Sequence, residues 1–181
     1  MFQRFTKAAK VVVRDAVHIA EQERATLIRP EHLLLAMLNQ DGTTATKILA
    51  DHAVTTAAVT DALDRAHRRG GLSDAESAAL TEVGIDVDAV VAALEQTHGE
   101  GALTPAKRPR TFGPRWRVAF DPAAKKVIER CLRETLDRGD RSIGDEHVLL
   151  ALLSVGGVAA EVLTSLGVTH QGVRAYLARA C

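Results

Sequence analysis

One short sequence occurs twice in this chain, and this internal repeat constrains the fold more than any other feature. Residues 28–38 read Ile-Arg-Pro-Glu-His-Leu-Leu-Leu-Ala-Met-Leu, and residues 143–153 read Ile-Gly-Asp-Glu-His-Val-Leu-Leu-Ala-Leu-Leu. The similarity continues on both sides, from Phe5 to Leu63 in the first copy and from Phe120 to Leu177 in the second. A self-match of this length indicates two copies of one structural unit, each burying its apolar face against the other.

The first copy has the apolar spacing of four helices. Ala9, Val12 and Ala16 share one face of a helix that Thr6 caps and that runs to about Arg24. Further helices are predicted over 30–39 and 43–51, and a fourth begins after Thr55. No segment alternates with period two for long enough to predict a strand. Hydrophobic residues make up 46% of the chain but aromatic residues only 3%, a composition that favours close helix packing through Ala, Leu and Val.

The second copy repeats this plan. Asp121-Pro122 is typical of an N-cap followed by a first-turn proline, and the helix that it opens ends near Arg138-Gly139. The later helices are predicted over 146–154 and 158–166, and Thr169 caps a last one.

The segment between the copies has a different character. Its first part predicts a helix to about Leu80, a turn at Gly84 and a helix from Val87 to about Thr97. Its last part, 105–117, has three prolines, five basic residues and one tryptophan, which is typical of an extended linker. The predicted organisation is repeat 1 over 1–66, a helical insert with a basic linker over 67–117, and repeat 2 over 118–181, with the repeats packed as one domain.

Composition and missing motifs narrow the function. The formal net charge is zero, which gives the whole chain no electrostatic reason to bind nucleic acid or an anionic membrane. Cys131 and Cys181 lie too far apart to suggest a disulfide framework, so a cytoplasmic location is expected. No apolar run reaches the roughly 18 residues of a membrane span. No Gly-x-x-x-x-Gly-Lys-Ser/Thr phosphate loop occurs, and no cofactor is predicted.

Several motifs together resemble a known family, the N-terminal domain of the Clp unfoldases and the ClpC branch in particular. They are Met1 to Thr6, Glu31-His32-Leu33-Leu34, Glu146-His147-Val148-Leu149-Leu150 and Ala159-Ala160-Glu161-Val162-Leu163. The resemblance covers 1–66 and 118–180. It implies an all-α fold of two pseudo-symmetric four-helix repeats, here with an inserted helical pair and a linker. It also implies a docking module for adaptors and substrates, in this chain without the ATPase modules.

The resemblance assigns Glu31 and Glu146 to the binding of a phosphorylated arginine. A carboxylate can accept two parallel N–H bonds from a guanidinium, and the phosphate would need helix N-terminal amides and a hydroxyl. This chain departs from the family pattern just before each Glu. Pro30 removes an amide and a hydroxyl, Asp145 adds a like charge beside the phosphate position, and Arg29 partly compensates. The alternative is that both Glu residues only complement the dipoles of their helices.

Other residues carry weaker indications. In the resembling family the edge at Phe2 belongs to a ligand-accepting surface, although simple packing would explain Phe2 equally well. His32 and His147 follow the two Glu residues, and a capping or interhelix hydrogen bond is favoured over metal binding because adjacent residues face different sides of a helix. Phe5 and Cys131 are predicted to lie in the core.

We therefore predict a non-catalytic protein- or peptide-binding module related to the Clp protease system. It would act in protein quality control and the stress response as an adaptor or a decoy, and its recognition would depend on phosphoarginine. Its partners would be Clp substrates, adaptors or unfoldase components, with the oligomeric state open. Two alternatives stay open: a metal-assisted hydrolase that uses the Glu-His pairs, and a nucleic-acid-associated protein that uses the basic linker.

Overall fold

The computed structural model describes residues 2–105, 107 and 118–179, of which Phe2 is described by its backbone alone. This part of the chain contains a 3₁₀ turn (Phe2–Arg4), two short strands and ten α-helices. The helices of the first repeat are α1 (Lys7–Gln22), α2 (Pro30–Leu38), α3 (Thr44–Asp51) and α4 (Thr56–Arg68), those of the insert are α5 (Asp74–Glu82) and α6 (Val87–His98), and those of the second repeat are α7 (Pro122–Arg138), α8 (Asp145–Val155), α9 (Val158–Ser165) and α10 (His170–Arg179). The predicted all-α fold of two four-helix repeats with an inserted pair is confirmed.

Helix starts follow the capping residues seen in the sequence. Thr6, Thr55 and Thr169 each accept a hydrogen bond from the amide three residues ahead, and the Asp121 carboxylate does the same at 2.6 Å. Each cap satisfies an amide that would otherwise lack a helical partner. Pro30 opens α2 as expected, because the first helical turn does not need its missing N–H.

Two short strands, absent from the sequence prediction, join the repeats. β1 (Leu27–Ile28) pairs in parallel with β2 (Ala119–Phe120), and Phe5 forms an isolated parallel bridge with Ile143. The two pairings are equivalent, because Phe5 corresponds to Phe120 and Ile28 to Ile143 in the internal repeat. Their hydrogen bonds match as well: the amide of Asp121 donates to the Ile28 carbonyl and that of Thr6 to the Ile143 carbonyl, both at 2.9 Å. The segment before each repeat's first helix thus pairs with the segment before the other repeat's second helix.

The core lies around α2 and α8, the helices that carry the duplicated motif. They contact each other, and each also packs on the first helix of its own repeat. Their apolar side chains are almost fully buried; the largest are Leu33, Leu34, Met37, Leu149, Leu150 and Leu152. Burying one such side chain contributes about 2 kcal/mol to the free energy of folding. Phe5 and Cys131 are buried too, as predicted.

The insert forms the predicted helical pair. Ser73 and Glu76 make a capping box at the start of α5. Arg69, just after α4, donates to Asp74 at 2.7 Å and to Asp88 at 2.9 Å, and so ties both insert helices to the first repeat. Of the predicted linker 105–117, only Pro105 and Lys107 belong to the described residues. Within the described ranges, no single helix has the length and hydropathy to cross a membrane; α8 and α9 reach them only as a pair, bent by 102°.

Candidate functional site

A groove of about 630 Å³ lies at the start of α2. Its walls come from the end of α1, the first turn of α2, the outer part of α4 and the residues that follow α6. The residues lining it are Glu23, Ala25, Arg29, Glu31, His32, Leu35, Thr60, Leu63, Asp64, His67, Arg68, Thr104, Pro105 and Lys107. Two of the predicted site residues, Glu31 and Arg29, therefore lie together in one groove, and residues at the end of the insert complete its wall.

Glu31 is the most unusual side chain in this groove. It is the second residue of α2 and is only 9% exposed. Its Oε1 lies 3.8 Å from Nε2 of His67, which is beyond hydrogen-bond distance, and its Oε2 is buried with no hydrogen-bond partner among the described residues. Burial opposes ionisation, but His67 and the amide of Glu31 itself outweigh it and lower the pKa of the carboxyl. The result is a buried carboxylate with spare acceptor capacity at the edge of a groove.

Charges of both signs surround Glu31. Arg29, Arg68 and Lys107 supply three cations, while Glu23 and Asp64 add carboxylates to that of Glu31. Arg29 is the N-cap residue of α2 and is half-buried. A groove of this kind has acceptors for a planar cation and donors for an anion within one volume.

His32 has a structural role next to this groove. Its Nδ1 accepts a hydrogen bond from the amide of Arg29 at 2.7 Å, so the proton of the neutral ring lies on Nε2. That nitrogen is 3.3 Å from the Glu23 carboxylate. The hydrogen bond to His32 is the largest of the effects that lower the pKa of Glu23, which burial opposes.

His147 occupies the equivalent place in the second repeat. The amide of Gly144 lies 3.0 Å from its Nδ1, and Asp140 lies 2.9 Å from its Nε2. The predicted capping role of the two histidines is thus confirmed in both repeats. Both ring nitrogens of each already have neighbours, and the described ranges contain no group of three or more His, Cys, Asp or Glu side chains placed to hold a metal ion.

Glu146 adopts a different arrangement from its counterpart Glu31. Its carboxyl folds back over Gly144, so closely that a Cβ atom added to Gly144 would collide with it. The equivalent position in the first repeat is Arg29, whose own Cβ excludes this conformation from Glu31. Burial opposes ionisation of Glu146, but His147, its own amide and Asp145 lower the pKa. Glu146 does not line the groove.

Asp145 is placed differently from the sequence expectation. We expected its charge to lie beside a bound phosphate. Instead the side chain is 4% exposed and points across the repeat interface, where Oδ2 accepts a hydrogen bond from the amide of Ala45 in the first turn of α3 at 2.7 Å. Burial raises its pKa, and the nearby charge of Glu146 adds to this shift.

Some groove residues had no signal in the sequence. His67 and Arg68 come from α4 beyond Leu63, where the repeat comparison ends. Lys107 belongs to the basic linker, for which the sequence suggested only a contact with nucleic acid. The fourth predicted site residue, Phe2, has a backbone within the 3₁₀ turn, but its side chain lies outside what the structure describes.

Comparison with known proteins agrees with the two-repeat organisation of the chain. The family model of the Clp repeat (R) N-terminal domain matches residues 4–76, 70–166 and 119–180. The chain is 28% identical over 180 residues to the chaperone protein ClpC1, chloroplastic, of Oryza sativa subsp. japonica, covering 99% of this chain but 15% of that protein. The chain thus spans less than a fifth of the length of this curated relative.

Solved structures agree with the fold. The Hsp104 N-terminal domain from Candida albicans superimposes with a TM-score of 0.58 at 14% identity, covering 96% of this chain and 88% of that one. The N-terminal domain of the caseinolytic protease associated chaperone ClpD from Arabidopsis thaliana gives a TM-score of 0.55 at 20% identity, with coverage of 99% and 96%.

Proposed function

Since the chain belongs to the Clp repeat (R) N-terminal domain family, we propose that it is a protein- or peptide-binding module of a Clp chaperone or protease system. Its proposed work is recognition and not catalysis. Its compartment would be the cytoplasm, in keeping with the free, buried thiol of Cys131. Its partners would be substrates, adaptors or unfoldase components of that system.

The observation that carries the proposal is the buried oxygen Oε2 of Glu31, which has no hydrogen-bond partner among the described residues. A buried oxygen without a hydrogen bond is costly, and a ligand that donates to it removes the cost. A guanidinium fits this position because its two parallel N–H groups match a carboxylate. His67, whose Nε2 also has no hydrogen-bond partner among the described residues, would shift or donate elsewhere when the ligand enters.

The cations around Glu31 suggest that this guanidinium carries a phosphate. Arg29, Arg68 and Lys107 line the same groove and would neutralise the anionic half of a phosphoarginine side chain. Arg29 thereby compensates for Pro30, which leaves the start of α2 one amide short. Glu146 is proposed as a second, weaker site, because its carboxyl is folded over Gly144 and does not line the groove.

Within this function, two roles follow from ligand binding. An adaptor would bring phosphoarginine-bearing substrates to an unfoldase, whereas a decoy would hold such substrates or ligands away from it. Degradation of a marked substrate by a reconstituted Clp protease separates the roles: an adaptor accelerates it, and a decoy slows it.

Calorimetric titration of the chain with a phosphoarginine peptide tests the proposal. We expect binding that an arginine peptide of the same sequence does not match. Glu31→Gln should weaken binding at least tenfold, Arg29→Ala should weaken it less, and Glu146→Gln should remove only the weaker site. Glu129→Gln, at an exposed position on α7, is the matched control. Absence of binding by the folded wild type, or wild-type affinity in Glu31→Gln, would overturn the assignment.

A further inference from the structure

The charge of this chain is strongly segregated, although its net charge is zero. Residues 70–105, which contain α5 and α6, hold seven of the 23 acidic residues and none of the 23 Lys and Arg residues. This segment therefore has a formal charge of −7, and the rest of the chain has +7. The net charge of zero does not reveal this distribution. The helical insert is acidic, whereas the rest of the chain is basic.

Ion pairs within the molecule account for only part of this acidity. Asp74 and Asp88 pair with Arg69, and Glu76 belongs to the capping box of α5. Glu82, Asp86 and Glu100 are exposed and have no ion pair among the described residues. The carboxylate of Asp86 also caps α6, where it accepts a hydrogen bond from the amide of Ala89 at 3.0 Å. The free carboxylates therefore lie mainly at the turn between the two helices.

The same turn exposes apolar side chains. Val83 is 73% exposed, Ile85 46% and Val90 50%, all within eight residues of one another. We call these three residues, together with Glu82 and Asp86, the hairpin tip. Isolated apolar residues on a surface are ordinary, but three exposed β-branched side chains around one turn form a candidate interaction site.

We propose that the hairpin tip docks a short, basic segment of a partner protein that carries apolar side chains among its Lys and Arg residues. The apolar residues of the segment would cover Val83, Ile85 and Val90, and its cations would face Glu82 and Asp86. Charge complementarity favours this occupant, because the negative charge of the insert attracts a basic segment and does not attract an acidic or neutral one. The surface is small, so the affinity is expected to be micromolar and to fall with added salt.

This site is separate from the groove at Glu31. The groove uses the start of α2, α4 and residues 104–107, whereas the tip belongs to residues 82–90 of the α5–α6 turn, none of which lines the groove. One partner could therefore be held at the tip while a substrate side chain occupies the groove. Failure of either proposal leaves the other standing.

Fluorescence anisotropy with the full chain tests the docking site. The probe is a labelled peptide of Lys and Leu residues at helical spacing, and a peptide with Glu in place of every Lys is its control. We expect the Lys-Leu peptide to bind, and Val83→Ser/Val90→Ser and Glu82→Lys each to raise its Kd about tenfold. Leu136→Ser and Glu129→Lys alter an equally exposed apolar and acidic pair on α7 and should leave Kd unchanged, as should Glu31→Gln.

Three results would overturn the proposal. The first is equal binding of the Lys-Leu peptide to the tip variants and the α7 variants. The second is self-association of the wild type that Val83→Ser/Val90→Ser abolishes in sedimentation velocity, since the occupant would then be a second copy. The third is a large gain in peptide affinity when the arginines of the basic linker are replaced with Gln, since the chain itself would then compete for the tip; these are Arg108, Arg110, Arg115 and Arg117.

Discussion

The carboxylate of Asp145, at the start of α8, caps a helix of the other repeat by accepting a hydrogen bond from the amide of Ala45 at 2.7 Å. The two residues are 100 positions apart in the sequence, and both are buried. The amide is one of those that a helix start leaves unpaired, so α3 depends on the second repeat to complete its first turn. In the internal repeat the counterpart of Asp145 is Pro30, which cannot make the equivalent bond, so the two halves of the interface are not interchangeable.

Asp145→Ala is expected to destabilise the protein by about 2 kcal/mol, because it leaves the buried amide of Ala45 unsatisfied. Asp145→Asn should cost much less, since its amide oxygen can still accept the bond. Denaturant unfolding at neutral pH measures both, with exposed Asp137→Ala as the control. Equal losses for Ala and Asn would contradict the capping role.

The pH dependence gives a second readout of the same contact. The pKa of Asp145 is raised in the folded state, chiefly by burial. A carboxyl with a raised folded-state pKa lowers the free energy of unfolding as the pH rises from the pKa of the unfolded state to that of the folded state. Above the folded-state pKa this loss of stability is complete. Asp145→Asn should therefore become more stable relative to wild type as the pH rises from acid to neutral. A difference in free energy of unfolding that stays constant would show that Asp145 does not titrate in this pH range.

Glu134 provides the opposite case. It is fully buried in α7, with Arg130 at 2.8 Å and His170 at 3.2 Å. Burial opposes ionisation, but these two partners outweigh it and lower the pKa of Glu134. Its stabilising effect is thus complete above the ordinary Glu pKa of 4.5 and is lost as the pH falls through that value to the folded pKa.

Glu134→Gln should accordingly destabilise the protein by about 2 kcal/mol at neutral pH, the cost of losing hydrogen bonds to charged groups. The difference in free energy of unfolding between Glu134→Gln and the wild type should shrink as the pH falls below 4.5. Unfolding curves across this range, compared with exposed Glu129→Gln, test the prediction. A deficit that persists unchanged at low pH would mean that packing, and not charge, explains Glu134.

Helix positions could be predicted from the sequence, but the contacts that distinguish the repeats could not. Caps such as Thr6 and Asp121 act within four residues of themselves, so a local pattern reveals them. β1 and β2 have two residues each, too few for an alternating pattern, and they form only because the repeats meet. Asp145 and Ala45 lie in different repeats, and no spacing rule connects them.

The groove illustrates the same limit. Repeat symmetry singled out Glu31 and Glu146 as equivalent, and only the structure shows how their neighbours separate them. His67 faces Glu31 from 36 positions away in the sequence, a distance at which no periodicity operates. Glu134 did leave a signal that could have been used: it lies four residues after Arg130 and aligns with Ile19, an apolar position in the first copy.

Gly144→Ala should displace the Glu146 carboxyl, because the new Cβ collides with it. The φ angle of Gly144 is −90°, which any residue adopts, so backbone strain does not contribute. We expect a loss of about 1 kcal/mol from the weakened interaction of Glu146 with the start of α8. In the Glu146→Ala background the same substitution should be almost neutral, and a double-mutant cycle in denaturant measures this coupling. Independent, additive effects would contradict the mechanism.

Cys131 should be chemically inert in the folded protein. Its thiol is buried, donates to the Val127 carbonyl at 3.1 Å, and has a pKa that burial raises to about 12. The reactive thiolate is therefore scarce at pH 8. In a Cys181→Ser variant, alkylation at pH 8 should be slow in buffer and fast in denaturant. Equal rates in both conditions would show that the core at α7 opens readily.

The ends of α3 and α9 offer a matched test of backbone strain. Each helix ends in the same hydrogen-bonding pattern: the amide of Val54 donates to the Leu49 carbonyl, and that of Val168 to the Leu163 carbonyl, both at 2.9 Å. The turn needs a left-handed residue just before the valine. The second repeat places Gly167 there with φ of +83°, whereas the first places Ala53 there with φ of +53°.

Ala53→Gly should therefore stabilise the protein. An L-residue in the left-handed region costs about 1–2 kcal/mol, and the extra flexibility of glycine in the unfolded chain returns about 0.5–1 kcal/mol of this, so the expected net gain is about 0.5–1 kcal/mol. The reciprocal change, Gly167→Ala, should destabilise by about 1 kcal/mol, since its Cβ would meet only Nδ1 of His52 at an ordinary 3.6 Å and strain alone is introduced. Thermal unfolding of the two variants and of the double exchange measures these effects. Destabilisation by Ala53→Gly would show that interactions of the Ala53 side chain stabilise this turn in the first repeat. The two helix ends would then have the same hydrogen bonds but different energies.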